Sequence, residues 1–87
     1  MIVVGDGGPT LEAAEDCKAF SVRGSGDLGD AGRWDGDDHA LIAPAWVRRQ
    51  AAGRVPEGWD TDFDGMLAYA ETKGWIVDGL IKGHVES

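Results

Sequence analysis

A stretch rich in glycine and aspartate, residues 24–38, constrains the fold most, because it divides the chain into two sections of different character. It reads G-S-G-D-L-G-D-A-G-R-W-D-G-D-D. This composition is typical of a loop, since both residue types favour the backbone angles and local hydrogen bonds of turns. With 87 residues in all, we predict a single domain over residues 1–87, with one small core and a loop at about 24–38.

The section before the loop predicts a helix followed by a short strand. Thr10 is a suitable N-cap, and apolar residues at helical spacing follow it, which predicts a helix over residues 11–19. Residues 20–23 alternate apolar with polar side chains, as a half-buried strand does.

The section after the loop predicts a strand, two helices and a hairpin. Residues 39–43 form an apolar run typical of a buried strand, and Pro44 suits the first turn of a helix that Gly53 would end. Asp78 and Gly79 lie between two apolar runs and tolerate the positive φ angles of a type I′ turn. We therefore predict a C-terminal hairpin.

Together these elements predict an α+β fold with about three short helices and a small antiparallel sheet. Their order resembles that of a winged-helix domain. In that family the second helix of the pair commonly reads DNA with basic residues, but here the corresponding helix is acidic and would repel phosphate. The resemblance therefore implies a fold and no DNA-binding activity.

Composition limits the classes of partner. The formal charge of −8 repels polyanions, so we predict no binding of DNA, RNA or anionic membrane. No apolar run approaches the roughly 20 residues that span a bilayer. Cys17 is the only cysteine and can form no intrachain disulfide, so we expect a soluble cytoplasmic protein. The oligomeric state stays open.

Residues 60–71 read D-T-D-F-D-G-M-L-A-Y-A-E and match every fixed position of a calcium-binding loop. They resemble the loop of an EF-hand, in which alternate carboxylates, a backbone carbonyl and a final bidentate glutamate hold the ion. The resemblance implies these ligands: Asp60, Asp62, Asp64, Met66 and Glu71. Pro56 and Gly58 interrupt the approach, however, where an EF-hand needs an entering helix.

The same residues also predict an amphipathic helix. Phe63, Met66, Leu67 and Ala70 lie at i, i+3, i+4 and i+7 and form an apolar stripe. Gly65 inside the helix costs about 1 kcal/mol relative to alanine, whereas each large side chain of the stripe gains about 1.5–3 kcal/mol on burial. The comparison favours a helix without metal and leaves calcium as the alternative cofactor.

A second alternative is a small enzyme. His39 follows Asp35, Asp37 and Asp38, and with His84 it could form a metal or acid–base site if the fold brought the two together. A solvated loop histidine and a strand histidine packed at an edge explain them more simply. No histidine or basic residue with a catalytic signature lies near Cys17 in the sequence, so we predict that it is a small buried residue and not a nucleophile.

The tryptophans suggest the function that we favour. A chain this short has four: Trp34, Trp46, Trp59 and Trp75. Their large area suits a thin core, but one or two left exposed would mark a partner-binding patch, for which Trp34 and Trp59 are our candidates. We therefore predict a small acidic protein that acts as a non-enzymatic protein-interaction or accessory module. Its partner would be another protein, and it would need no cofactor.

Overall fold

The computed structural model describes residues 1–6 and 8–86, which form a seven-stranded mixed sheet and two α-helices. The strands are β1 (Ile2–Val4), β2 (Thr10–Glu12), β3 (Ser21–Arg23), β4 (Gly32–Asp35), β5 (His39–Ile42), β6 (Ile76–Val77) and β7 (Leu80–Glu86). The helices are α1 (Pro44–Ala51) and α2 (Trp59–Thr72), and a 3-10 turn spans Gly29–Ala31.

The sheet is curved into a half-barrel with the strand order β2-β1-β3-β7-β5-β4, and β6 pairs separately with β7. β1 pairs in parallel with β3, and β3 pairs in parallel with β7, while the remaining pairs are antiparallel. β7 therefore contacts three strands and joins the first section of the chain to the last.

The core lies between one face of the sheet and the two helices. The sheet contributes Val3, Val22, Ile42 and Ile81, all almost fully buried. The helices contribute Trp46, Val47, Trp59 and Phe63, and the indole of Trp59 stacks on the ring of Phe63 at 4.8 Å. The four strand residues just named are all β-branched, a type that packs well on a pleated surface.

Two short turns are determined by glycine. Asp78 and Gly79 have φ angles of 52° and 76°, and they connect β6 to β7 in the hairpin that the sequence predicts. Gly74, with φ at 77°, ends α2 in a Schellman motif: its amide donates to Glu71 O at 3.1 Å, and the amide of Trp75 donates to Ala70 O at 2.9 Å.

The predicted fold class is wrong. We expected about three short helices with a small antiparallel sheet in winged-helix-like order, whereas the described residues form a sheet-dominated half-barrel with two α-helices. The parallel pairs are the main reason for the error, since each joins strands distant in sequence and leaves no local signal.

The predicted helix over residues 11–19 does not form. Residues Thr10–Glu12 are instead strand β2, in which Leu11 lies opposite Val3 of β1. Ala13 then takes a φ of 51°, which stops any helix at that point. Burial of Leu11 in the sheet therefore outweighs the helical spacing of the apolar residues that follow it.

The predicted loop at 24–38 contains a strand as well as turns. β4 pairs with β5 along four positions, from Gly32 opposite Ile42 to Asp35 opposite His39. The tryptophan of this stretch is half-buried, and its Nε1 donates to the carbonyl of Gly26 at 2.8 Å. The strand is short and lies at the edge of the sheet, where polar residues and glycine are tolerated. Its sequence therefore has the composition of a loop.

Candidate functional site

A cleft of about 790 Å³ opens between α2 and β7. Its volume lies within the range of about 300–1,000 Å³ that is usual for ligand sites. We call it the basic cleft because three lysines line it. Its lining residues are Cys17, Lys18, Ala19, Phe20, His39, Gly65, Met66, Tyr69, Ala70, Lys73, Gly74, Trp75, Ile81, Lys82 and His84.

The position of the cleft follows from a break in the pairing along one edge of β7. β3 pairs with β7 from His84 onward, and β6 pairs with β7 only as far as Ile81. Lys82 and Gly83 lie between these two ladders, where the amide of Lys82 donates to the carbonyl of Trp75 at 2.6 Å. The segments that lead into β3 and β6, residues 17–20 and 73–75, therefore flank the cleft.

Two aromatic side chains of the cleft are exposed. The side chain of Tyr69 is 57% exposed and that of Trp75 is 45% exposed, and their rings meet edge to face at 5.9 Å. The Schellman motif holds the backbone of Trp75 against the end of α2, and the ammonium of Lys73 lies 5.4 Å from the Tyr69 ring. The pair is consequently presented on an ordered turn.

The charge of the cleft differs from that of the rest of the molecule. All three lysines and both histidines of the chain line it: Lys18, Lys73, Lys82, His39 and His84. No aspartate or glutamate lines it, although the chain has 16 of them. Carboxylates are instead found in the adjoining shallow depression, with Glu15, Asp16 and Asp62.

The two histidines lie opposite each other on the neighbouring strands β5 and β7, with ring centroids 5.5 Å apart and planes at 73°. The structure thus brings together the pair on which the small-enzyme hypothesis depends. In the described part of the chain no carboxylate lines the cleft, but Asp35 of β4 lies directly opposite His39 across the β4–β5 pair. The pair contributes two polar ring surfaces, and an acid–base function for it stays a prediction.

Cys17 lies at one end of the cleft and is half-buried. Burial raises the pKa of its thiol, and the negative charges of Asp62 and Asp16 raise that pKa further, although the N-terminal ammonium partly opposes them. A raised pKa keeps the thiol protonated near neutral pH and lowers its nucleophilicity.

The candidate calcium ligands lie on helix α2 or at its first turn. Asp60 and Asp64 both pair with Arg48 of α1, with 2.9 Å between Arg48 Nη1 and Asp60 Oδ1. These ion pairs raise the pKa of Arg48. Among residues 1–6 and 8–86, no three or more His, Cys, Asp or Glu side chains are grouped as a metal site would require. Asp62, Met66 and Glu71 belong to the same helix.

Trp34 and Trp59, the tryptophans proposed for a partner-binding patch, are not exposed, whereas Trp75 is. Trp59 is 4% exposed, and its Nε1 donates to the carbonyl of Ala14 at 2.6 Å, while Trp34 is half-buried. Our sequence reasoning did not consider Tyr69, Lys18 or Lys82 as site residues. One signal was available for Tyr69: it falls outside the apolar stripe of α2, so a helical interpretation leaves an aromatic ring in solvent.

Comparison with protein-family models, with curated proteins and with solved structures found no match to this chain. Neither helix in the described part of the chain is long and apolar enough to cross a bilayer.

Proposed function

We propose that this protein is a non-enzymatic interaction module whose basic cleft receives a segment of a partner protein. One observation carries the proposal: the exposed pair of Tyr69 and Trp75 stands at a cleft large enough for several side chains. Tyrosine and tryptophan dominate binding energy at protein interfaces, because they bury a large area at a low cost in conformational entropy.

Two features favour binding over catalysis. In the described part of the chain, the lining of the cleft holds no carboxylate that could act on a bound ligand together with His39 and His84, and Asp35, which faces His39 from β4, lies outside that lining. The thiol of Cys17 is protonated near neutral pH, because burial raises its pKa. We also propose that the protein is cytoplasmic, which a single cysteine with no possible intrachain disulfide supports.

A random peptide library displayed on phage tests the proposal. We expect the library to enrich peptides that shift the backbone amide resonances of Tyr69 and Trp75 and the indole N–H resonance of Trp75 in a ¹⁵N-HSQC spectrum. The buried indole of Trp46 should not shift, because it lies in the core. Enrichment of no peptide, or shifts confined to residues outside the cleft, would contradict the proposal.

Alanine variants supply the matched control. Tyr69→Ala and Trp75→Ala should each weaken the selected peptides at least about tenfold, which corresponds to 1.4 kcal/mol. Val77→Ala removes another exposed apolar side chain, one that does not line the cleft, and should leave the affinity unchanged.

A further inference from the structure

We infer that the segment received by the basic cleft is acidic, with carboxylates on either side of one apolar side chain. This inference rests on the proposed function and adds the chemistry of the partner to it. It depends on the distribution of charge, on the ion pairs that the molecule already contains, and on the apolar residues of the cleft.

The charges of the molecule are distributed unevenly. A chain with twice as many acidic as basic residues places every lysine in the cleft, and within residues 1–6 and 8–86 no aspartate or glutamate lines it. Interfaces match a positive patch on one partner with a negative patch on the other, because like charges brought together cost several kcal/mol. A basic segment would therefore be rejected, and an acidic one accepted.

The lysines form no ion pairs within the described part of the protein. In the part of the chain that the structure describes, all four ion pairs are made by arginine: Arg23 with Glu86, Arg33 with Asp78, and Arg48 with both Asp60 and Asp64. No lysine has a carboxylate oxygen within 4.0 Å in that part of the chain. The ammonium groups of Lys18, Lys73 and Lys82 are thus available to carboxylates of a partner.

The cleft also contains apolar residues. Phe20, Met66 and Ile81 line it together with Trp75, so an apolar side chain can be buried in the same cleft that the lysines line. Burial of that side chain excludes water, and ion pairs near it are then stronger than ion pairs in open solvent. An acidic segment with one apolar residue fits this arrangement better than a free small anion.

The acidic surface elsewhere on the molecule does not prevent this binding. Charges more than about 8 Å apart are largely screened at physiological ionic strength. Glu15, Asp16 and Asp62 adjoin the cleft at its Cys17 and Lys18 end, so an acidic segment binds most favourably with its carboxylates near Lys73 and Lys82, which do not line that depression. A long polyanion such as RNA would extend beyond the cleft onto acidic surface, where Glu15, Asp16 and Asp62 lie next to it.

Three labelled peptides that share one central phenylalanine test the inference, with aspartate, glutamine or lysine at all other positions. Binding is measured by fluorescence anisotropy and by protection of Cys17 from alkylation, since Cys17 lines the cleft. The aspartate peptide should bind more than about tenfold tighter than the lysine peptide. Lys82→Gln should weaken the aspartate peptide about two- to fivefold.

Arg49→Gln is the matched control. It removes one positive charge from an exposed position of α1 outside the cleft, so the affinity for the aspartate peptide should not change. A single-stranded RNA of similar length serves as a non-protein polyanion for comparison with the aspartate peptide. If it bound as tightly as the aspartate peptide, with the same loss in Lys82→Gln, the assignment of an acidic protein segment would be overturned.

The remaining outcomes separate the two proposals. Equal affinity for the aspartate and glutamine peptides, with Cys17 protected by both, would overturn the acidic specificity and leave the interaction module intact. Failure of all three peptides, together with failure of the phage selection, would overturn both proposals.

Discussion

The guanidinium of Arg48 lies 4.8 Å from the centroid of the Phe63 ring, and it pairs with Asp60, about one turn before Phe63, and with Asp64, which directly follows it. One side chain of α1 therefore binds three side chains of α2. The contact covers the buried Phe63 and fixes the two helices against each other.

Replacement of this arginine should destabilise the protein. We expect Arg48→Ala to lower the free energy of unfolding by about 1–2 kcal/mol, since it removes a cation–π contact and two ion pairs that are partly screened by solvent. Urea denaturation measures the change. Arg49→Ala on the same helix should cost less than about 0.5 kcal/mol, and an equal loss in the two variants would contradict our account of Arg48.

Calcium should not stabilise the protein. Asp60 and Asp64 are engaged by Arg48, and the backbone of Met66 and Glu71 is helical, whereas a calcium loop needs their oxygens to converge on one point. We expect the melting temperature to be the same with and without millimolar calcium. A rise that disappeared in Glu71→Ala would restore the calcium hypothesis.

Gly65 distinguishes the helix from the loop in another way. A Cβ added there would meet no atom within 4 Å, so Gly65→Ala should stabilise α2 by about 0.5–1 kcal/mol. Gly83→Ala is the contrasting variant, because its Cβ would lie 2.7 Å from Phe20 Cε1, and it should destabilise the protein. Thermal unfolding of both variants measures the two effects, and a destabilised Gly65→Ala would contradict the helix.

Trp59 should behave as a core residue. Trp59→Phe removes the hydrogen bond to the carbonyl of Ala14 and leaves that oxygen without its partner, which we expect to cost about 1–3 kcal/mol of unfolding free energy. Trp75→Phe changes an exposed ring of the cleft and should be nearly neutral for stability. Guanidinium denaturation followed by circular dichroism compares the two, and the reverse order would contradict our placement of Trp59.

The raised pKa of Cys17 predicts slow alkylation. The reactive thiolate is scarcer at any given pH below that pKa, so iodoacetamide should react with Cys17 more slowly at pH 8 than with an unfolded cysteine peptide. Asp62→Asn removes a negative charge that raises this pKa, and it should therefore speed the reaction. Mass spectrometry of timed samples gives the rates, and a Cys17 faster than the peptide would refute the assigned direction.

Local signals predicted several elements of this fold. Proline at the start of α1, the apolar stripe of α2 and the Asp78-Gly79 turn each act over a few residues, and each element forms where the sequence placed it. Strand β2 was predicted as helix because Leu11 is buried by pairing with β1 and by packing near α1, contacts that its neighbours in the sequence do not indicate. Such pairings between distant residues decide the architecture and leave no periodic pattern behind.

The basic cleft lay beyond sequence reasoning for the same reason. Lys18, Lys73 and Lys82 are isolated in a sequence dominated by carboxylates, and nothing local relates them. They line one cleft because β3 and β6 pair with successive parts of one edge of β7. The histidine pair depends likewise on the register of β5 against β7.

The central place of β7 also affects how the chain folds during synthesis. In order of synthesis β7 follows the other six strands described, yet β3, β5 and β6 all pair with it. Until it emerges, β3 and β5 each present an unpaired edge, and exposed edges recruit strands from other chains. Translation that stalls before Leu80 would therefore release a nascent chain prone to aggregation.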